Sequence, residues 1–286
     1  MNRRAHFSAA AASYDSAAVL AREVGERLAS RLACVRLAPR RLADVGCATG
    51  DGVRALQLRY PEALPLAVDF ALPMLEVVQS RAGWWERLRG KAPRCINADV
   101  QGLPLATGSL DLVWSNLMLH WLPDPAALQA ALAEIHRVLA EGGLLHFALL
   151  GPDTLKELRG AARQVGADWT GPTFLDMHDI GDMLSAAGFA DPVMEMEMLT
   201  LTYRTPRAFL ADLRQLGVRE GLLGRQPWRL WGEIFRAWQT VGGEDEVGRL
   251  LPARFEIVYG HAWKVAPRNL PDGRSIMKFQ RYRNQG

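Results

Sequence analysis

The chain has 286 residues, 49% of them apolar and 23% charged, as in ordinary soluble globular proteins with a sizeable core. From Pro267 onward five lysines and arginines face one aspartate, which leaves 29 bases against 30 acids in the rest; a body so near neutral argues against a nucleic-acid protein. No uninterrupted apolar run is long enough to span a bilayer, and no apolar stretch of a secretory signal follows Arg3 and Arg4. Cys34, Cys47 and Cys95 are odd in number and widely spaced, which suggests neither a disulfide framework nor a metal cluster and suits a reducing cytoplasm. The expectation is a cytoplasmic protein, a monomer, with no metal and no nucleic-acid or membrane partner.

In chain order, residues 1–40 read as an Ala-rich helical segment. Phe7, Ala11, Tyr14 and Ala18, then Val24, Leu28 and Leu32, recur at helical spacing. Asp15 or Ser16 is placed to cap a helix running to about Leu37, and Pro39 ends it. Tyr14 fits either core packing or a place over a ligand pocket. Residues 41–150 alternate strand and helix, which implies a parallel sheet. The strands are read at Leu42–Val45, Leu64–Asp69, around Asn97, at Leu110–Asn116 and at Leu144–Leu150. Pro73 fits the first turn of a helix. Asp124-Pro125 reads as an N-cap followed by proline at the first helical position, and Gly142-Gly143 as the stop of that helix. Thr154-Leu155-Lys156-Glu157 reads as a capping box. A helix over Asp176–Ala187, an extended stretch over Pro192–Tyr203, two helices between Pro206 and Val241, and a last strand from Arg254 to Lys264 complete the chain. The units expected are a helical cap (1–40), an α/β core (41–205), a helical insertion over the site (206–252), the last core strand (253–266) and a loose basic tail (267–286).

The chemistry concentrates at strand ends. Leu42 to Gly52 is an apolar run ending in Asp44, a turn of small residues, and a helix start. Glycines there permit positive φ and close approach of backbone N–H groups to a ligand, beside the positive end of a helix dipole. The dinucleotide pattern G-x-G-x-x-G fits poorly; the frame that fits is Asp44, Gly46, Ala48, Gly50, Gly52, flanked by Cys47. It resembles motif I of the class I S-adenosyl-L-methionine (SAM) methyltransferases, with Ala48 where glycine is usual. Asp69 closes the second strand 23 residues past Gly46, placed to accept hydrogen bonds from ribose hydroxyls, with Phe70 beside it. Asp99-Val100 and Asn116 stand at the next strand ends. In the resembled superfamily these ends hold, in order, the methionine part, the ribose, the adenine and the methionine tail again. In an open α/β sheet they fall on one edge, outside the carboxyl ends of the strands.

Six further blocks carry a narrower resemblance: Phe7–Asp15, Trp114–Leu117, Gly151–Arg159, Asp176–Asp182, Leu199–Tyr203 and Val258–Lys264. They resemble the malonyl-acyl-carrier-protein O-methyltransferases of biotin synthesis, and are also similar to the mitochondrial complex I assembly factor that hydroxylates an arginine. The resemblance implies a Rossmann-like α/β fold with a mostly parallel seven-stranded sheet and SAM as cofactor. It also implies a malonyl-loaded acyl carrier protein as partner, its free carboxylate becoming a methyl ester. Tyr14, His120 and Arg159 are the candidate catalytic residues on this reading. Tyr14 would close the pocket, His120 would pack or orient, and Arg159 would orient the acceptor carboxylate or lie on a solvated helix face. His120-Trp121 stands where many biotin-pathway members have Gln-Trp. The arginines at 207, 214, 219, 225, 229 and 236 form either a carrier-docking patch or a solvated face. Oxidation of a protein arginine, and SAM binding without catalysis, remain alternatives at this point.

Overall fold

The structure is a computed structural model; it describes residues 3–241, 244–245 and 248–266. A seven-stranded sheet forms from β1 (Arg41–Val45), β2 (Leu64–Asp69), β3 (Arg94–Asn97), β4 (Leu110–Asn116), β5 (Leu139–Leu150), β6 (Ala190–Tyr203) and β7 (Leu251–Trp263), in the order β3-β2-β1-β4-β5-β7-β6. The first five strands are parallel, and β7 lies antiparallel between β5 and β6. The order reverses between β1 and β4, and that switch point is where open α/β sheets bind ligands.

Strict alternation along the central strands serves two helical layers. Leu42, Leu112, Trp114, Leu144 and Ala148 face one core, with α3 (Val19–Arg31), α8 (Lys156–Gln164), α10 (Pro206–Gln215), α11 (Arg219–Leu223) and α12 (Trp228–Val241). Ala43, Val45, Val113, Leu145, Phe147 and Leu149 face the other, with α7 (Pro125–Val138) and α9 (Met177–Ala186). Strands buried on both faces need such continuous apolar runs. Among the described residues, no helix is long and apolar enough to cross a membrane.

The N-terminal segment is three helical pieces rather than one long helix: α1 (Arg3–Ala10), α2 (Tyr14–Ala17) and α3, followed by a short 3-10 turn. Asp15 caps nothing. Its carboxylate accepts the Thr49 hydroxyl at 2.6 Å and pairs with Arg81, so the chain breaks where it is tied to the loop after β1. Ser13 and Ser16 tie the same segment to Gln215 of α10 at 3.0 and 2.6 Å.

Asp124 caps α7 as expected, accepting the Ala127 N–H at 2.8 Å. The stop of α7 comes at Val138, before the glycine pair, because β5 already begins at Leu139. The expected capping box at Thr154 does not form. Leu155 is the N-cap, at φ +56; the Thr154 hydroxyl bridges the backbone of Glu256 in β7, and Glu157 pairs with Arg254 at 2.8 Å. Tertiary partners on β7 have taken both groups that would have closed the box. Between β6 and β7 the chain makes three helices, α10 to α12, where two were expected. The basic tail lies outside the described residues.

Candidate active site

The carboxyl ends of β1, β2 and β4, with the segments after β3, β4 and β5, enclose a cavity of about 430 Å³, in the range of small-molecule sites. The N-terminal helices roof it and α10 and α11 close its far side.

One end is polar. Asp69 sits at the close of β2, its two carboxylate oxygens accepting Ala48 N–H at 3.0 Å and Ala71 N–H at 2.8 Å. It thereby fixes the turn after β1 to the start of α5 (Leu72–Arg81). Burial pushes its carboxyl above the usual range, against the pull of these backbone donors. Asp99 and Val100 follow β3 and line the same end, with Phe70 and Met74. Asn116 closes β4. Its side-chain N–H donates to the Ala21 carbonyl at 2.8 Å, and its Oδ1 is buried without a partner.

The middle of the cavity belongs to the turn after β4. Leu117 takes φ +51, a conformation that costs an L residue roughly 1–2 kcal/mol and that clusters at functional sites. His120 is half-buried, with its ring edge-on to Phe174 at 5.5 Å. The Leu150 N–H donates to its Nδ1 at 3.3 Å, which leaves the ring proton on Nε2. Burial, then the charge of Arg3, pushes its pKa down to about 3. The ring is therefore a neutral hydrogen-bond donor with its lone pair occupied. Tyr14 also lines the cavity; burial, then Asp69 and neighbouring acids, raises its phenol far above the ordinary value and keeps the hydroxyl protonated. The far end is apolar: Leu201, Tyr203, Leu213, Leu216, Leu222 and Phe255.

A family model described as a methyltransferase domain matches residues 43–147. A malonyl-[acyl-carrier protein] O-methyltransferase of Gallionella capsiferriformans is 47% identical over 285 residues, covering 96% of this chain and 94% of that one. The chain belongs to the malonyl-[acyl-carrier protein] O-methyltransferase family. Among solved structures, the YcgJ protein of Bacillus subtilis aligns over 84% of this chain and 99% of its own, at TM-score 0.59 and 16% identity. A Haemonchus contortus phosphoethanolamine N-methyltransferase bound to S-adenosylhomocysteine aligns over 84% of this chain and 52% of its own, at TM-score 0.52 and 17% identity. At those identities the two show the fold, that of the class I SAM methyltransferases.

This member of the malonyl-[acyl-carrier protein] O-methyltransferase family is a SAM-dependent O-methyltransferase. The polar end fits that cofactor. The unpartnered Asn116 Oδ1 calls for a donor such as an ammonium, Asp69 has lone pairs left for a ribose diol, and Phe70, Met74 and Val100 give an apolar seat for a flat ring.

Of the residues singled out from sequence, Gly46, Ala48, Asp69, Phe70, Asp99, Val100, Asn116, Tyr14 and His120 meet at the cavity. Asp44 and Cys47 lie behind it. Asp44 is buried beneath the start of α4 (Asp51–Arg59) and accepts from Val53, while Cys47 packs with Val53, Ala67 and Leu75. Gly50 takes φ +94 as the N-cap of α4. Arg159 does not line the cavity; its guanidinium donates to the Pro152 carbonyl. Arg3, Arg4 and Trp121 line it without having been singled out. Adjacency to His120 was the one signal for Trp121, and the two arginines carried none.

Ala48 is accommodated rather than disruptive. It takes φ +45, and its N–H still reaches Asp69. Glycine there would relieve the left-handed strain but raise the entropy of the unfolded chain by roughly 0.4–1 kcal/mol. Ala48→Gly is expected to leave the unfolding temperature within a few degrees and SAM affinity equal or tighter, by thermal unfolding and titration calorimetry. A loss of SAM affinity would contradict this account of the loop.

Proposed function

We propose that this enzyme methylates the free carboxylate of malonyl-acyl carrier protein, giving the methyl ester used in biotin precursor synthesis. The family sets the expectation, since the curated relatives carry that name. The observation that carries the reading is the state of His120: beside the cofactor end, its lone pair is occupied and its ring stays neutral. Such a group donates a hydrogen bond and removes no proton. It suits an acceptor that is already a nucleophile, and a carboxylate is ionised at neutral pH.

When bound, SAM would supply a sulfonium methyl for transfer to the carboxylate oxygen, the electron pair of the broken S–CH3 bond staying on sulfur. The protein's share is alignment, which contributes up to roughly 7–11 kcal/mol when reacting atoms are well oriented. Asp69 and Asn116 would hold the cofactor. His120 Nε2–H and the Tyr14 hydroxyl are donors that fix polar groups between the two ends of the cavity. The leucines of β6, α10 and α11 keep water out of the far end, which suits a thioester-linked arm.

The acceptor dependence of SAM turnover tests this. Malonyl-carrier is expected to drive formation of S-adenosylhomocysteine, and acetyl-carrier, which lacks the carboxylate, is not. Equal turnover with both would refute the reading. Carrier proteins are acidic. Arg207 and Arg214 are exposed on α10, which closes the far side of the site, while Arg225, between α11 and α12, and Arg229 and Arg236, on α12, are exposed away from the cavity lining; electrostatic complementarity there would act on encounter. Reversing charge at Arg214 together with the half-buried Arg219 is expected to raise the KM for malonyl-carrier severalfold and leave SAM affinity alone. An unchanged KM would remove the patch from the account.

A further inference from the structure

Among the described residues that line the cavity, the permanent cations are Arg3 and Arg4, both on α1. They are placed differently. Arg4 is exposed, and its guanidinium stacks over Phe70 with 5.8 Å to the ring centroid, at the cofactor end. Arg3 turns inward. Its Nη1 donates to the Trp121 carbonyl, in the turn that follows β4, and its Nε is buried without an acceptor. Its charge is felt by His120, the next side chain along that turn.

We infer that Arg3 receives and orients the acceptor carboxylate, the role that sequence alone offered to Arg159. This rests on the carboxyl-methylation reading and goes one step into it. Arg3 lines the cavity, its guanidinium plane is fixed through Nη1, and its covered Nε–H has no acceptor within the protein. An orphaned buried donor is rare in a folded protein and is costly until filled. A charge-assisted bond to a carboxylate is the strongest partner it can take. With one carboxylate oxygen held, the second stays free to attack the methyl. His120, kept neutral, adds no competing positive charge. Arg3 also discriminates substrate from product: the methyl ester carries no charge and loses the ion pair, which favours its departure.

The test uses the full-length enzyme with Arg3→Gln and Arg3→Lys. The readouts are the KM for malonyl-carrier, the relative affinity for malonyl-carrier and its methyl ester, and SAM affinity. Arg3→Gln is expected to raise KM about 10- to 100-fold and to abolish the preference for acid over ester, with SAM affinity within twofold of the unsubstituted enzyme. Arg3→Lys, a point charge without the fork, is expected to restore part of both. Unchanged KM and preference in Arg3→Gln would overturn the inference and leave the methylation reading standing. A parallel loss of SAM affinity would place Arg3 in the cofactor's seat and also overturn it. If the unsubstituted enzyme does not methylate malonyl-carrier, the functional reading fails first and this inference with it.

Discussion

Replacing Asp69 by alanine is expected to weaken SAM binding by two to four orders of magnitude, the largest single effect in the site. Two losses combine. A ribose diol would lose two hydrogen bonds to a charged acceptor, worth roughly 1.5–3 kcal/mol each. The Ala48 and Ala71 N–H groups would also lose the carboxylate that joins the turn after β1 to the start of α5. Asp69→Asn separates these effects. One amide oxygen can still accept a backbone N–H, whereas the amide NH2 opposes the other, so an intermediate loss is expected. Calorimetric titration with SAM gives the affinities, and thermal unfolding of the cofactor-free proteins gives the structural share. A fall in affinity below tenfold for Asp69→Ala would move the ribose away from β2.

The second large effect is on stability against pH. Asp44 is buried behind the loop, and desolvation followed by Asp69 pushes its carboxyl up to about 8. Its folded value lies above its unfolded value, so the folded state binds more protons between the two. That contribution is full below the unfolded value and is lost as pH rises through about 8. His120 and His146 run the other way. Burial holds them at about 3 and about 4, below the unfolded imidazole, so they favour the folded state less as pH falls below about 6.5 and are silent above it. Cofactor-free protein is therefore expected to be most stable near pH 6.5 and to lose about 1 kcal/mol between pH 6.5 and 8, at 1.36 kcal/mol per pKa unit. Asp44→Asn keeps an acceptor for Val53 and removes the titration, so it should flatten most of that decline. Urea unfolding at the two pH values measures it. An undiminished decline in Asp44→Asn would mean that another group titrates.

Much of this was legible in the sequence because it is local. Asp69 and Asn116 each close a strand, Asp44 stands one residue before the end of β1 and Asp99 two past the end of β3; apolar runs at regular spacing announce those strands, and parallel pairing then brings their ends to one edge. Asp124-Pro125 caps its helix through an acceptor three residues from its donor, a relation written in the spacing. What failed is non-local. Thr154 and Glu157 have the spacing of a capping box, but β7, about a hundred residues later, takes both. Asp15 looks like a cap and is claimed instead by Thr49 and Arg81. Arg159 sits in a distinctive block and turns to its own Pro152. Arg3 comes to the cavity only because α1 folds back over the turn after β4, and no periodicity in a short Ala-rich segment records that.

The most direct measurement is the mass of the malonyl-loaded carrier after incubation with the enzyme and SAM. The account predicts a gain of one methyl on the acyl group, removed by an esterase that cleaves methyl esters. SAM bound by the same preparation with no gain, or a methyl that survives the esterase, would contradict it.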